Sequence, residues 1–158
     1  MLNSFERLLL IRRVDIFKEL RDDFLVRLAS IMEERSYAVR EPILVEGQQG
    51  RSLYVISKGA VRVHNGSRDL AFCKRGDFFG EMSLFDSEPR SASVTAIEPC
   101  ECLVLTQQQL YEAVDETPGI ALNLIKILSG RVREMNKEIK AKEQEIRLLK
   151  GEPITQIR

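Results

Sequence analysis

The sequence predicts a mainly β domain, a small barrel or jelly-roll sandwich, with short helices before it and one long helix after it. Three observations carry this. From about residue 36 to residue 106 the chain runs as short β-rich segments divided by Gly- or Pro-containing turns, the pattern of a closed or double-sheet fold. On either side of that stretch apolar residues recur at helical spacing, and the stripe from Ile125 to Leu149 alternates intervals of three and four. At 158 residues and 44% hydrophobic content, the chain is one domain's worth with enough apolar side chains for a core.

In chain order, Leu2, Phe5, Leu8 and Leu9 predict an amphipathic helix within residues 1–17, and Phe24, Leu25, Leu28, Ile31 and Met32 predict a second after the turn-like Asp22-Asp23. Two roles are open to these helices: packing on the domain, or relaying its state to a partner. The apolar run 8–11 is flanked by Glu6, Arg7, Arg12 and Arg13 and is far too short for a secretory core or a membrane span, so a cytoplasmic protein is expected. Strands are expected at 37–40, 43–45, 53–57, 60–64, 69–74, 92–97 and 101–105. Val61 and Val63 alternate with Arg62 and His64, giving one buried and one wet face, and Asn65-Gly66 signals a hairpin turn. A helix over 107–114 leads to Thr117-Pro118, where Thr can cap and Pro can take the first helical position. A long helix then runs to about Lys150, stopped by Gly151 and Pro153. The expected organisation is residues 1–117 as the β domain with its N-terminal helices, 118–150 as the long helix and 151–158 as a short tail.

Composition excludes several function classes. Lysine plus arginine and aspartate plus glutamate both number 24, so the formal net charge is zero and no basic stripe points to nucleic acid or an anionic membrane. Cys73, Cys100 and Cys102 have no metal-ligand spacing and read as buried thiols in a reducing compartment, the last two sharing a strand face. His64, the only histidine, has no carboxylate or nucleophile at a suggestive spacing, and a solvated or cross-strand role is expected for it. No nucleophile triad, metal cluster or carboxylate pair stands out, so no enzyme and no cofactor are expected.

One stretch carries chemistry. Gly76 and Gly80 bracket a strand end at Phe78-Phe79, Glu81 to Phe85 can form one helical turn, and Pro89 ends the excursion before a strand begins at Ser91. The unpaired N–H groups of so short a helix favour a phosphate, and Gly80 permits its close approach. Arg90 returns to the same place with a permanently charged, two-pronged donor, while Glu81 can accept from a sugar hydroxyl. A sugar-phosphate meets both demands.

Phe79-Gly80-Glu81-Met82-Ser83-Leu84, then Pro89-Arg90-Ser91-Ala92 with Arg90 nine residues after Glu81, resembles the phosphate-binding cassette of the cyclic nucleotide-binding domain family. Glu46-Gly47, Leu53-Tyr54-Val55-Ile56 and Lys58-Gly59-Ala60-Val61-Arg62-Val63 resemble that family's β-roll, so the likeness spans nearly all of residues 11–136. The resemblance implies that Glu81 bonds the ribose 2′-hydroxyl, that Arg90 with the N–H groups of Met82 and Ser83 holds the cyclic phosphate, and that Ser91 adds a hydroxyl contact. It implies Val63 and Leu70 at the mouth of the roll, beside base or sugar or else simply in the core. Ser87 departs from the pattern, standing where many members carry Gly. Within the family, the cassette followed by a long helix is similar to sensors of the cAMP-receptor type, in which that helix caps the base; the corresponding positions are Met135 and Asn136. Asn136 then either meets a purine edge or is an ordinary solvated residue. Regulators of that type continue into a helix-turn-helix module, and only residues 154–158 follow Pro153 here. The chain is therefore expected to sense without reading DNA, either free-standing or as part of a longer protein.

The long helix carries a heptad seam. Ile125, Val132, Ile139 and Ile146 take a positions, and Leu128, Met135, Lys142 and Leu149 take d, the arrangement of a parallel two-stranded coil and hence a homodimer through residues 125–149. A stripe lying on the β domain accounts equally well for its first half, up to Met135. Residues 136–150 are strongly charged apart from the seam and are expected to project beyond the domain.

The expected function is that of a dimeric cyclic nucleotide sensor that signals through the C-terminal helix to an effector protein or output module. cAMP is favoured as ligand because Ser91 rather than Thr follows Arg90, with cGMP possible. The alternative is a non-enzymatic dimerisation scaffold with a vestigial pocket. An enzyme of the similar cupin architecture would need clustered histidines, which are absent.

Overall fold

The computed structural model describes residues 1–152. Helices α1 (Ser4–Ile11) and α2 (Asp22–Ile31), joined through a 3₁₀ turn at Asp15–Phe17, lead into strands β1 (Glu33–Tyr37), β2 (Pro42–Leu44), β3 (Ser52–Lys58), β4 (Ala60–Asn65), β5 (Arg68–Lys74) and β6 (Phe78–Phe79). The short helix α3 (Ser83–Asp86) separates these from β7 (Ser93–Ala96) and β8 (Cys100–Thr106), and helices α4 (Gln107–Glu116) and α5 (Gly119–Leu149) follow. Two antiparallel sheets result, ordered β1-β8-β3-β6 and β2-β7-β4-β5. This is the mainly β roll with flanking helices that the sequence predicts.

Strands β3 and β8 are near-continuous apolar runs because both their faces are covered. Leu53 and Val55 with Leu103 and Leu105 face the helices, packing with Phe17, Leu25, Leu28, Leu110 and Ile120. Tyr54 and Ile56 with Cys102 and Val104 face the other sheet and pack with Val61, Val94 and Ala96. The strand period of two thus feeds two cores from one sheet. The β4–β5 hairpin turns at Gly66, whose φ of 55° suits glycine, with Asn65 paired to Arg68.

Capping boxes open two helices: Asn3 accepts from the Glu6 N–H on α1, and Thr106 accepts from the Gln109 N–H on α4. Thr117 does not cap the long helix as expected. Its N–H donates to Ala113 O, so it ends α4, and Pro118 precedes α5 with no side-chain cap. The first turns of α5 belong to the helical core through Ile120, Leu124 and Ile127, so residues 118–127 are part of the same packed unit as the roll. Gly151, at φ 71°, follows the helix end, while Pro153 lies outside the described residues.

Two expectations shift. The first strand is 33–37 rather than 37–40, because Glu33 to Tyr37 pair along β8 although four of the five side chains are exposed. On α1 the buried residues are Leu10 and Ile11, with Leu8 and the preceding Leu2 partly covered, while Phe5 and Leu9 face outward. The run of four apolar residues at 8–11 admits more than one helical stripe, and contact with α2 selects this one.

Cys100 and Cys102 do share a buried face, with sulfurs 3.8 Å apart, and the contact with Cys100 together with burial pushes the Cys102 thiol above its usual range. His64 makes a cross-strand contact, Nε2 to Thr95 Oγ1 at 2.8 Å, and its Nδ1 lies 2.7 Å from Gly66 O. Among the described residues no helix is long and apolar enough to cross a membrane.

Candidate functional site

Arg90 is set in place before its side chain does anything. Its N–H donates to Gln48 O at 2.8 Å, its carbonyl accepts from Gly47 N–H at 2.9 Å, and Gly50 N–H donates to Glu88 O, so the 47–50 loop clamps the segment that delivers it. The side chain then runs inward and is only 8% exposed. Nη1 donates to Ser83 Oγ at 2.9 Å and Nη2 to Ser52 O at 2.9 Å, with Gly80 O further off at 3.4 Å. Every one of these partners is neutral. Burial pushes the guanidinium below its ordinary range, against the pull of Tyr54, Asp86 and Glu81, and it remains charged. A buried cation with no carboxylate in ion-pair contact among the described residues is a costly arrangement unless an anion joins it.

Two glycines make room for it. A Cβ on Gly50 would stand 2.3 Å from Arg90 Nε and 2.6 Å from Ser83 Oγ, and one on Gly80 would meet Ser52 O at 2.6 Å and Arg90 Nη1 at 2.7 Å. Gly80 also turns the chain at φ 83°, between β6 and the cassette helix. Gly50→Ala is therefore expected to displace the guanidinium and destabilise the protein by about 1–3 kcal/mol, the usual cost of overpacking, read by urea denaturation.

The cavity beside Arg90 has a volume of about 310 Å³, at the small end of ligand pockets. Its lining brings together seven of the nine predicted residues: Gly80, Glu81, Met82, Ser83, Arg90, Ser91 and Val63. Leu44, Val94, Ala92 and Phe79 complete its apolar wall, Phe79 being stacked on Tyr54 with ring centroids 5.0 Å apart. Asp86, Glu88 and Pro89 add the outer rim. Leu44 and Val94 come from β2 and β7, which pair with each other, and Phe79 from β6 in the other sheet, so their convergence depended on strand order. Gly50 and Ser52 were invisible for the same reason: they act on a residue about forty positions further on.

Two predicted residues lie elsewhere. Leu70 is about half exposed on edge strand β5 and does not line the cavity. Val61 and Val63, packed in the core between the sheets, pair with Cys73 and Ala71, so Leu70 falls on the opposite face by strand alternation. Asn136 is exposed on the projecting part of α5, also outside the lining. One backbone detail differs as well. The Ser83 N–H donates to Gly80 O at 3.2 Å, closing the turn, so of the two N–H groups expected to face a phosphate, Met82's alone has no backbone acceptor among the described residues. Ser87 ends α3 in the left-handed region, φ 54° and ψ 23°, which explains why glycine suits that position. Its hydroxyl accepts from Gln107 Nε2 at 2.8 Å, an interaction glycine could not make.

The family description "Cyclic nucleotide-binding domain" matches residues 34–117. The cyclic AMP receptor protein of Thermus thermophilus is 37% identical over 115 residues, 70% of this chain and 53% of that protein. Human cGMP-dependent protein kinase 2 is 29% identical over 135 residues, 81% of this chain and 17% of the kinase. The chain thus spans about half the length of the first relative and a small part of the second. Among solved structures, the N-terminal domain of a transcriptional regulator from Streptomyces coelicolor A3(2) superposes with a TM-score of 0.74 at 30% identity, covering 82% of this chain and 94% of that one.

Proposed function

This chain belongs to the cyclic nucleotide-binding domain family, and from that premise we propose that it is a sensor holding a cyclic nucleotide against Arg90, cAMP in preference to cGMP, and passing ligand state through α5 to an effector protein. The observation that carries the proposal is the guanidinium of Arg90, buried among neutral acceptors at the floor of a sugar-phosphate-sized cavity. Domains of this family are regulatory rather than catalytic.

In this reading Arg90 and the Met82 N–H hold the cyclic phosphate, and Ser83 takes part through the hydroxyl that already positions Nη1. The half-buried Glu81 carboxylate accepts from the ribose 2′-hydroxyl, and Ser91 adds a second hydroxyl contact. Gly80 lets the backbone approach. Val63, with Leu44 and Val94, lies against the sugar or base. Because Asn136 is outside the cavity of a single chain, a contact between it and the base requires α5 to be repositioned or a second copy to supply it. α5 supports the latter: Ile125, Leu128, Val132, Met135, Ile139, Ile146 and Leu149 are all exposed along its length, and pairing two copies through residues 125–149 would cover them. A ligand that contacts one helix arrangement better than another shifts the population toward it.

The exposed seam also supports the second reading, a dimerisation scaffold with a vestigial pocket, since it needs no ligand. Calorimetric titration of cAMP and cGMP separates the two. Saturable binding of both, tighter for cAMP, is the expected result. Neither heat nor a thermal shift with either nucleotide, in folded and ligand-free protein, would leave the scaffold.

A further inference from the structure

Four ionisable side chains line the cavity: Arg90, Glu81, Asp86 and Glu88. One cation therefore faces three carboxylates. The sugar-phosphate reading gives a role to Glu81 alone. Asp86 and Glu88 make no ion pair among the described residues, Asp86 acting on Arg90 only at longer range, and the Asp86 carboxylate is held to the loop by accepting the Glu88 N–H at 3.0 Å. Asp86 ends α3 and Glu88 stands on the loop between α3 and Arg90; both are exposed and line the same cavity as the guanidinium.

We propose that Asp86 and Glu88 are specificity-determining residues that admit a singly charged cyclic phosphodiester and reject a doubly charged phosphomonoester such as a nucleoside 5′-monophosphate. The proposal rests on the cavity being a cyclic nucleotide site. A cyclic phosphodiester carries one negative charge near neutrality, which Arg90 balances. A phosphomonoester loses its second proton near pH 6 and so brings close to two negative charges at slightly alkaline pH. The second charge finds no further cation in the lining and meets two carboxylates instead. Like charges at a solvent-accessible rim repel modestly, yet two acting on one extra ligand charge amount to roughly tenfold in relative affinity. Such discrimination works by placing repulsion against the wrong ligand rather than by adding attraction to the right one.

The test is calorimetric titration of cAMP, and of 5′-AMP by displacement of cAMP, into wild type, Asp86→Asn, Glu88→Gln and the double variant, at low and high ionic strength. Both substitutions keep size, and Asn retains the oxygen that accepts the Glu88 N–H, so the loop is preserved. The ratio of the AMP to the cAMP dissociation constant should fall roughly tenfold in the double variant at low salt. In wild type the same ratio should shrink as salt rises. If wild type binds cAMP but the ratio in the double variant stays within about twofold, shape alone excludes the monoester and this proposal is overturned. If folded wild type binds no cAMP, the cyclic nucleotide reading of the cavity fails, and the charge filter fails with it.

Discussion

Arg90→Leu is expected to weaken cAMP binding at least about 100-fold while changing the stability of the unliganded protein by no more than about 1 kcal/mol. The two effects separate because the guanidinium does different things in the two states. With ligand it would supply two charge-assisted hydrogen bonds, each worth about 1.5–3 kcal/mol. Without ligand it is a charge 8% exposed among neutral acceptors, and its desolvation works against the hydrogen bonds it makes to Ser83 Oγ and Ser52 O. An apolar side chain of smaller size gives up both terms together. Titration calorimetry measures the first expectation and chemical denaturation the second. Binding as tight as wild type would refute the assignment of Arg90. Strong destabilisation with no ligand present would instead make this arginine a structural residue.

Val132→Glu combined with Ile139→Glu is expected to abolish self-association of the chain while leaving its fold and its cavity intact. Both residues occupy a positions of the seam and are 56% and 52% exposed in the single chain, whereas the face of α5 that holds the roll is made by Ile120, Leu124 and Ile127. The substitutions therefore touch a surface that the domain does not use. In a parallel pair each position meets its symmetry mate, so every substitution removes two apolar side chains, at about 1 kcal/mol each for half-exposed residues, and sets two like charges opposite each other. A dissociation constant weaker by a factor of 100 or more should follow. Sedimentation of wild type and variant at micromolar concentration reads it out. Wild type that sediments as a monomer with and without nucleotide would remove the seam as a dimer interface.

How much of this was legible beforehand depends on where each residue's partners lie. Strands β3, β4, β5 and β8 were readable almost to the residue, because Gly59, Asn65-Gly66 and apolar runs mark them locally. β1 was not. Glu33, Glu34 and Arg35 carry no hydrophobic alternation, and what makes them a strand is hydrogen bonding to β8, about seventy residues away. The cassette was legible because Gly80, Glu81 and Arg90 sit within eleven consecutive positions and each residue type states its chemistry. Gly50 was silent, since its value is the space that a Cβ would take from Arg90. Leu70 sits one position from Ala71, the partner of inward-facing Val63, so the strand period of two turns it outward. The two faces of α5 could not be assigned from spacing alone, as both stripes are apolar; tertiary contact chose Ile120, Leu124 and Ile127 and left the heptad positions outside.

That division gives α5 the mechanics of a cantilever. Its 31 residues make a rod about 46 Å long, clamped to the roll over its first turns, with about 33 Å of helix beyond Ile127, the last residue it gives to the core. A rotation of about 5° at the clamp moves the far end by about 3 Å, roughly the width of a side chain, with no change in the helix itself. Displacements too small to disturb packing around Ile120 and Leu124 are thus magnified at Ile146 and Leu149, and the stiffness of the rod fixes the gain.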